Sequence, residues 1–241
     1  MTGLVRKAMF LAVCGLLTAG VAFAHVADPA NSECHNVGAA APPINLNCDL
    51  IKAVVYVVGN NLAGTVADPV GQFCVTVRDF NNVPIENSSV ILDFTDCDVQ
   101  LCNNPTLDGS VVDCPSATVR KLSDASGVAC FKVRGKTKAG LGCGGAAKNC
   151  LKIFADSQLL CTGDAPTFDL VGQPAGQEGL NPSDLSEFLK QLLLCATNPP
   201  RANYACNNQV VDPSDLSAFL KVFLLLGNSP KNCPVGSPKC P

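Results

Sequence analysis

Apolar and polar residues alternate with a period of two along much of the chain, and the period lengthens to that of a helix near its end. In residues 73–78, Phe73, Val75 and Val77 fall on one face, and in 90–94 Val90, Leu92 and Phe94 do the same. Successive side chains of a strand point to opposite faces, so both runs predict half-buried β-strands. Residues 50–58, 128–133 and 150–155 are β-branched or apolar runs that predict three more. Asn81-Asn82 separates the first two strands. Asp124-Ala125-Ser126-Gly127 predicts a turn, because glycine accepts the positive φ that closes it. Short strands with no helical period between them predict a β-sandwich over residues 48–170.

The helical stripe comes as a pair. Leu185, Phe188, Leu189, Leu192 and Leu193 recur at i, i+3, i+4, i+7 and i+8, and Leu216, Phe219, Leu220, Phe223 and Leu224 repeat the phase. They belong to a duplication. Asn181-Pro182-Ser183-Asp184-Leu185-Ser186-Glu187-Phe188-Leu189-Lys190 returns as Asp212-Pro213-Ser214-Asp215-Leu216-Ser217-Ala218-Phe219-Leu220-Lys221, identical at eight of ten positions and offset by 31. Each copy reads as a helix start. Asn181 and Asp212 suit the N-cap, and Pro182 and Pro213 the first helical position, where no N–H is needed. Asp184 and Asp215 stand three after the cap, where an acid bonds back to the cap N–H. Two helices with matching stripes are expected to pack on each other within residues 171–228. Residues 25–47, with Pro29, Pro42 and Pro43, read as an extended leader. Residues 229–241 read as a tail that closes on itself or clips a neighbour.

Cysteine changes the picture most, at 15 of 241 residues. Residues 1–24 read as a secretory signal: Arg6-Lys7, an apolar stretch over 8–21 too short to span a bilayer, then Ala22-Phe23-Ala24, so that His25 begins the mature chain. Export supplies an oxidising compartment, and the fourteen cysteines after the signal are expected to form disulfides. They are Cys34, Cys48, Cys74, Cys97, Cys102, Cys114, Cys130, Cys143, Cys150, Cys161, Cys195, Cys206, Cys233 and Cys240. No C-x-x-C pair favours zinc. Ten lie from Cys34 to Cys161 and four from Cys195 onward, so each region can close its own bonds; the pairing itself stays open.

The strand region resembles a known family at Val77-Arg78-Asp79, Val83-Pro84-Ile85, Val90-Ile91-Leu92-Asp93-Phe94 and Ser123-Asp124-Ala125-Ser126-Gly127-Val128-Ala129-Cys130-Phe131. These are similar to the signatures of bacterial immunoglobulin-like domains of the invasin/intimin (Big-1) kind. The resemblance implies an immunoglobulin-like β-sandwich that serves as a spacer, stalk or adhesive module and brings no catalytic residues. The cysteine load departs from that family. The duplicated segment resembles a dockerin-type repeat, two calcium loops each running into a helix. That resemblance implies calcium ligands at Asn181 and Asp184, and at Asp212 and Asp215 with Asn203 and Asn207. Ala205 cannot ligate, and Gln173, Ala175 and Gln177 carry no carboxylate, whereas calcium prefers six to eight oxygens. Helix capping is therefore the favoured role for Asp184 and Asp215, and no cofactor is required.

Little else points to chemistry. Net charge is −3, and loss of Arg6 and Lys7 with the signal takes it to −5. No basic cluster favours nucleic acid. The absence of Trp, with Tyr56 and Tyr204 the only tyrosines, disfavours carbohydrate binding and a sugar-cleaving cleft. His25 and His35 are the only histidines, so a triad or a copper-binding histidine brace would fall on the leader. Gly140-Leu141-Gly142-Cys143-Gly144-Gly145 lacks the Lys-Ser/Thr of a phosphate loop, and Asn87-Ser88-Ser89 is a glycosylation pattern that hints at a surface loop. No second apolar run is long enough for a membrane span. The expectation is a mainly β protein with a small α-helical pair: a secreted, non-catalytic structural or adhesive component of a fibre, surface layer or other cell-surface assembly. It acts through self-association or a protein partner. The alternative is a scaffold adaptor whose helix pair binds a cohesin-like partner. A secreted hydrolase or copper enzyme is the remote third.

Overall fold

The computed structural model describes residues 26–37, 53–54, 72–102, 109–138, 149–171, 180–194, 202, 204, 211–226 and 240. The signal segment, His25, Asn203, Asn207, the glycine-rich loop at 140–145 and Cys48, Cys143, Cys195, Cys206 and Cys233 lie outside them. Eleven strands are present among the described residues: β1 Glu33–Val37, β2 Ala53–Val54, β3 Gln72–Thr76, β4 Ser89–Asp93, β5 Val99–Leu101, β6 Val111–Asp113, β7 Thr118–Leu122, β8 Val128–Phe131, β9 Gly135–Thr137, β10 Leu151–Ala155 and β11 Gln158–Asp164. Two helices follow, α1 Pro182–Leu194 and α2 Pro213–Leu226. The protein is mainly β. Its strands form three sheets, ordered β1-β3-β8, β2-β11-β10-β4-β7-β6 and β5-β9. All pairings are antiparallel except β2 on β11.

The alternation read from the sequence decides what is buried. Val90, Leu92 and Phe94 are fully enclosed, as are Leu151, Ile153 and Ala155, and register sets Ile153 opposite Leu92 and Ala155 opposite Val90. Phe73, Val75 and Val77 join Ala129 and Phe131 of β8. The three sheets contribute to a single apolar cluster. β7 and β11 escaped the sequence reading. In β7 the outward side chains are Arg120 and Leu122, and β11 keeps much of its length toward solvent, so neither shows a strong apolar period. The turn between β10 and β11 is Asp156-Ser157, both at positive φ, 46° and 71°. A two-residue hairpin needs that geometry and usually finds it in Asn-Gly. Here Asp156 is held from outside, accepting Ser88 Oγ–H at 2.7 Å and Ser89 N–H at 2.9 Å.

Two expectations are corrected. Residues 26–37 are no free leader: β1 pairs with β3, Ala27 is buried, and Asp28 N–H donates to the Arg78 carbonyl. His35 therefore stands in a sheet, opposite Cys74. The cysteines do not sort into two closed regions either. Cys34–Cys161, Cys74–Cys130 and Cys97–Cys150 stay within the β region, but Cys114 bonds Cys240, 126 residues away. Cys102 is also disulfide-bonded. Cys240 is buried in the β core; its N–H donates to the Leu101 carbonyl, and its carbonyl accepts from Gln100 Nε2 at 2.8 Å. Cys240, which follows both helices in the sequence, thus sits against β5. Each disulfide restricts the unfolded chain and typically contributes about 2–4 kcal/mol. The bonds fit an oxidising compartment. Among the described residues no helix is long and apolar enough to cross a membrane.

Candidate functional site

The duplicated segment forms two helix starts of the same design. Asn181 Oδ1 accepts from Ser183 N–H at 2.8 Å, and Asp212 Oδ1 from Ser214 N–H at 2.7 Å. Three residues on, Asp184 Oδ2 accepts from the cap N–H of Asn181 and Asp215 Oδ2 from that of Asp212, at 2.8 and 2.9 Å. Spacing alone predicts those reciprocal bonds. It does not reveal that the other oxygen of each acid grips a remote segment. Asp184 Oδ1 accepts from Leu170 and Val171 N–H, and Asp215 Oδ1 accepts from Tyr204 N–H. Both acids are fully buried.

Those remote segments carry the aromatic core of the pair. Phe188 and Phe219, equivalent in the repeat, stack at 4.9 Å between ring centres, and Phe168 stacks on Tyr204 at 4.2 Å with planes 7° apart. Tyr204 donates its hydroxyl to the Thr167 carbonyl at 2.8 Å. Phe168 and Leu170, just past β11, thus belong to the helical core and not to the β core. Thr137 N–H of β9 donates to the Asp169 carbonyl, so one short segment is bonded to both parts.

Burial pushes the Asp184 carboxyl up from its ordinary value of 3.8, against backbone N–H groups and the Asp169 side chain, which pull it down. A carboxyl raised on folding binds its proton more tightly in the folded state. Its contribution is complete below pH 3.8 and is lost as pH rises through the folded value. The stability of the native protein relative to Asp184→Asn, which cannot titrate, is therefore expected to be greatest in acid and to decline with rising pH. Thermal melts in far-ultraviolet circular dichroism across the acid-to-neutral range measure it, and an advantage that grows with pH contradicts the assignment.

Of the six residues implied as calcium ligands, Asn181, Asp184, Asp212 and Asp215 are engaged as helix caps, and Asn203 and Asn207 lie outside the described residues. The oxygens of Asp184 and Asp215 face backbone N–H donors, and Asn181 and Asp212 cap Ser183 and Ser214, whereas calcium needs a shell of converging oxygens. No group of three His, Cys, Asp or Glu able to hold a metal occurs among the described residues.

The outward face of the pair is the notable surface. Pro182, Ser183, Ser186, Leu189, Lys190 and Leu193 are exposed along α1, and Pro213, Ser214, Ser217, Lys221 and Leu224 along α2, with the equivalent Leu220 half-buried. Leu193 and Leu224 are 78% and 77% exposed. Phe188 and Phe219 pack on each other with Leu185, Leu192, Leu216 and Phe223 against them, whereas Leu189, Leu193 and Leu224, which the apolar stripes place inward, stand in solvent. No known family, curated protein or solved structure matches the chain.

Proposed function

We propose that this is a secreted, non-catalytic protein of an extracellular or cell-surface assembly. An immunoglobulin-like β-sandwich, stapled by disulfides, presents a dockerin-like helix pair to a cohesin-like protein partner. The observation that carries this reading is the repeated exposed face. A helix core requires Phe188 and Phe219 to match; it does not require Ser186, Lys190 and Leu193 to recur as Ser217, Lys221 and Leu224 in solvent. Two exposed leucines at equivalent positions also leave apolar surface that a partner would cover. The choice between a brace and a docking module turns on where the stripes go. Here Phe188 meets Phe219 and the outer leucines of each stripe stay exposed, which favours docking.

The oxidised full chain is to be tested by biolayer interferometry against a panel of cohesin modules, with sedimentation velocity in parallel, with calcium and with chelator. Saturable one-to-one binding is expected, lost in the double variant Lys190→Glu/Lys221→Glu while the melting temperature stays unchanged. No binding to any module, together with large species that grow with concentration, would replace the adaptor by a self-assembling fibre or surface-layer component.

A further inference from the structure

One row of the sheet β1-β3-β8 holds a histidine and a disulfide side by side. Register sets His35 opposite Cys74 and Cys74 opposite Cys130, and directly opposed residues of neighbouring strands share a face. Cys74 and Cys130 are bonded to each other, with Cα atoms 4.1 Å apart, close to the spacing of a non-hydrogen-bonded pair. The backbone bonds of β3 and β8 fall at the alternate pairs; beyond the strand ends, Val77 N–H donates to the Gly127 carbonyl at 2.8 Å in the same register. The two strands are therefore joined without the sulfur bridge. On one side of it stands His35, whose Nδ1 is buried and meets no hydrogen-bond partner. On the other side β8 is the outermost strand of its sheet among the described residues. Cys130 is half-buried there, whereas Cys74 is 1% exposed. A residue of a non-hydrogen-bonded pair turns its carbonyl away from the partner strand. The Cys130 carbonyl accepts from Lys121 Nζ at 2.8 Å, so a cation stands on that outer side.

We propose that Cys74–Cys130 is an exchange site for a small anionic thiol, with Cys130 the sulfur attacked and Cys74 the sulfur released. The site stands apart from the helix pair and from its docking. An attacking thiolate delivers its electron pair in line with the S–S bond, on the far side of the leaving sulfur, and access decides which sulfur it meets. From the outer side of β8 that sulfur is Cys130 Sγ, and Lys121 favours an anionic nucleophile there. A bond forms between the incoming sulfur and Cys130 Sγ, the S–S bond breaks, and its electron pair leaves on Cys74 Sγ. The Cys74 thiolate takes up the proton that the attacking thiol gave to solvent. Its S–H is then the donor that His35 Nδ1 lacks. A buried acceptor without a partner is costly, so the opened state gains a bond that the closed one does not have. A second thiol attacks the mixed disulfide and frees Cys130. Two external thiols become one external disulfide, and the protein gains two electrons and two protons. Cys97–Cys150 offers no such entry, because both of its residues are buried.

The test exposes the oxidised full chain to graded glutathione, quenches with iodoacetamide and maps the cysteines by peptide mass spectrometry, with circular dichroism in parallel. Glutathione is expected first on Cys130 and the alkyl label first on Cys74, at a rate at least about tenfold above the opening of Cys97–Cys150, while the spectrum stays native. Lys121→Gln keeps a donor for the Cys130 carbonyl and removes the charge. It is expected to slow exchange about threefold or more, with the difference shrinking at high salt. His35→Phe keeps a flat ring and removes the acceptor. It is expected to shift the thiol–disulfide equilibrium at this pair about threefold or more toward the disulfide, an effect that loss of the lysine charge does not produce. Opening of Cys74–Cys130 no sooner than Cys97–Cys150, or only with loss of the native spectrum, overturns the proposal. So does glutathione on Cys74 in place of Cys130, or exchange that neither substitution changes. Should His35→Phe fail to fold, the order of opening and the Lys121→Gln rate decide the matter.

Discussion

Asp184→Ala is expected to destabilise the helix pair by about 3–5 kcal/mol. The side chain is buried and accepts three backbone N–H groups, from Leu170, Val171 and Asn181. Alanine leaves all three donors without a partner, at about 1–3 kcal/mol for each buried group. Part of that loss is returned, because the substitution also removes the burial of a carboxyl that is raised in the fold. For a chain of this size each kcal/mol moves the melting temperature by about 2–4 °C. A fall of about 6–20 °C follows, with early loss of the helical signal at 222 nm. Asp215→Ala likewise removes the acceptor of Tyr204 and Asp212 N–H and is expected to destabilise the pair in the same way. A shift below about 3 °C for Asp184→Ala would show that the helix start does not depend on its carboxylate. The effect is expected to extend beyond the helix itself, because Leu170 follows Phe168, whose ring stacks on Tyr204.

Gly127→Ala is expected to cost the β region about 2–5 kcal/mol, and here the matching control is built into the protein. Gly127 has φ +77°, and a Cβ there would stand 2.5 Å from the Val77 carbonyl oxygen and 3.2 Å from Ile85 N. That carbonyl accepts the Ile85 N–H, while Val77 N–H donates to Gly127 itself. The obstacle is therefore backbone in a bonded turn, which cannot swing aside as a side chain can. Gly109 has nearly the same φ, +78°, and among the described residues no atom lies within 4 Å of a Cβ placed there. Gly109→Ala should show only the left-handed conformational cost, about 1–2 kcal/mol. The excess at Gly127 measures the clash, which for overpacking is about 1–3 kcal/mol. Denaturant titration of both variants decides the matter. Equal losses would mean that the turn relaxes around the new methyl group.

Both results bear on how much of the molecule could be read from its sequence. The turn at 124–127 was legible because Asp and Gly carry their conformational preference with them. Asp124 Oδ1 accepts from Ser126 and Val128 N–H, as such a turn requires, and also from the Ser126 hydroxyl; that hydroxyl first, with the two N–H groups, lowers its pKa. The strands of Val90 and Ile153 were legible because burial on one face leaves a period of two. β7 and β11 were not, since most of their side chains are exposed or half-buried and leave no clean period of two. The leader reading failed at β1 for a related reason. Glu33-Cys34-His35 has no apolar face of its own and joins a sheet only because β3 offers backbone groups to pair.

At the helix pair the division is sharper. Caps, first-turn prolines and apolar stripes act over three or four residues, so local spacing determined both helix starts and the match between Phe188 and Phe219. The sequence also determined that the repeat differs at Glu187 and Ala218. Only the tertiary structure decided that Asp184 and Asp215 reach back to Leu170 and Tyr204, that Gln191 anchors Glu187 from within the core, and that Cys240 crosses to Cys114. The contacts of Asp184, Asp215 and Cys240 join residues 11 to 126 positions apart, and the Gln191–Glu187 contact, though local, depends on the burial of Gln191 in the assembled core. No local propensity encodes such a distance. Which donor meets which acid, and which thiol meets which, is settled by the packing of two cores whose surfaces exist only once the chain has folded.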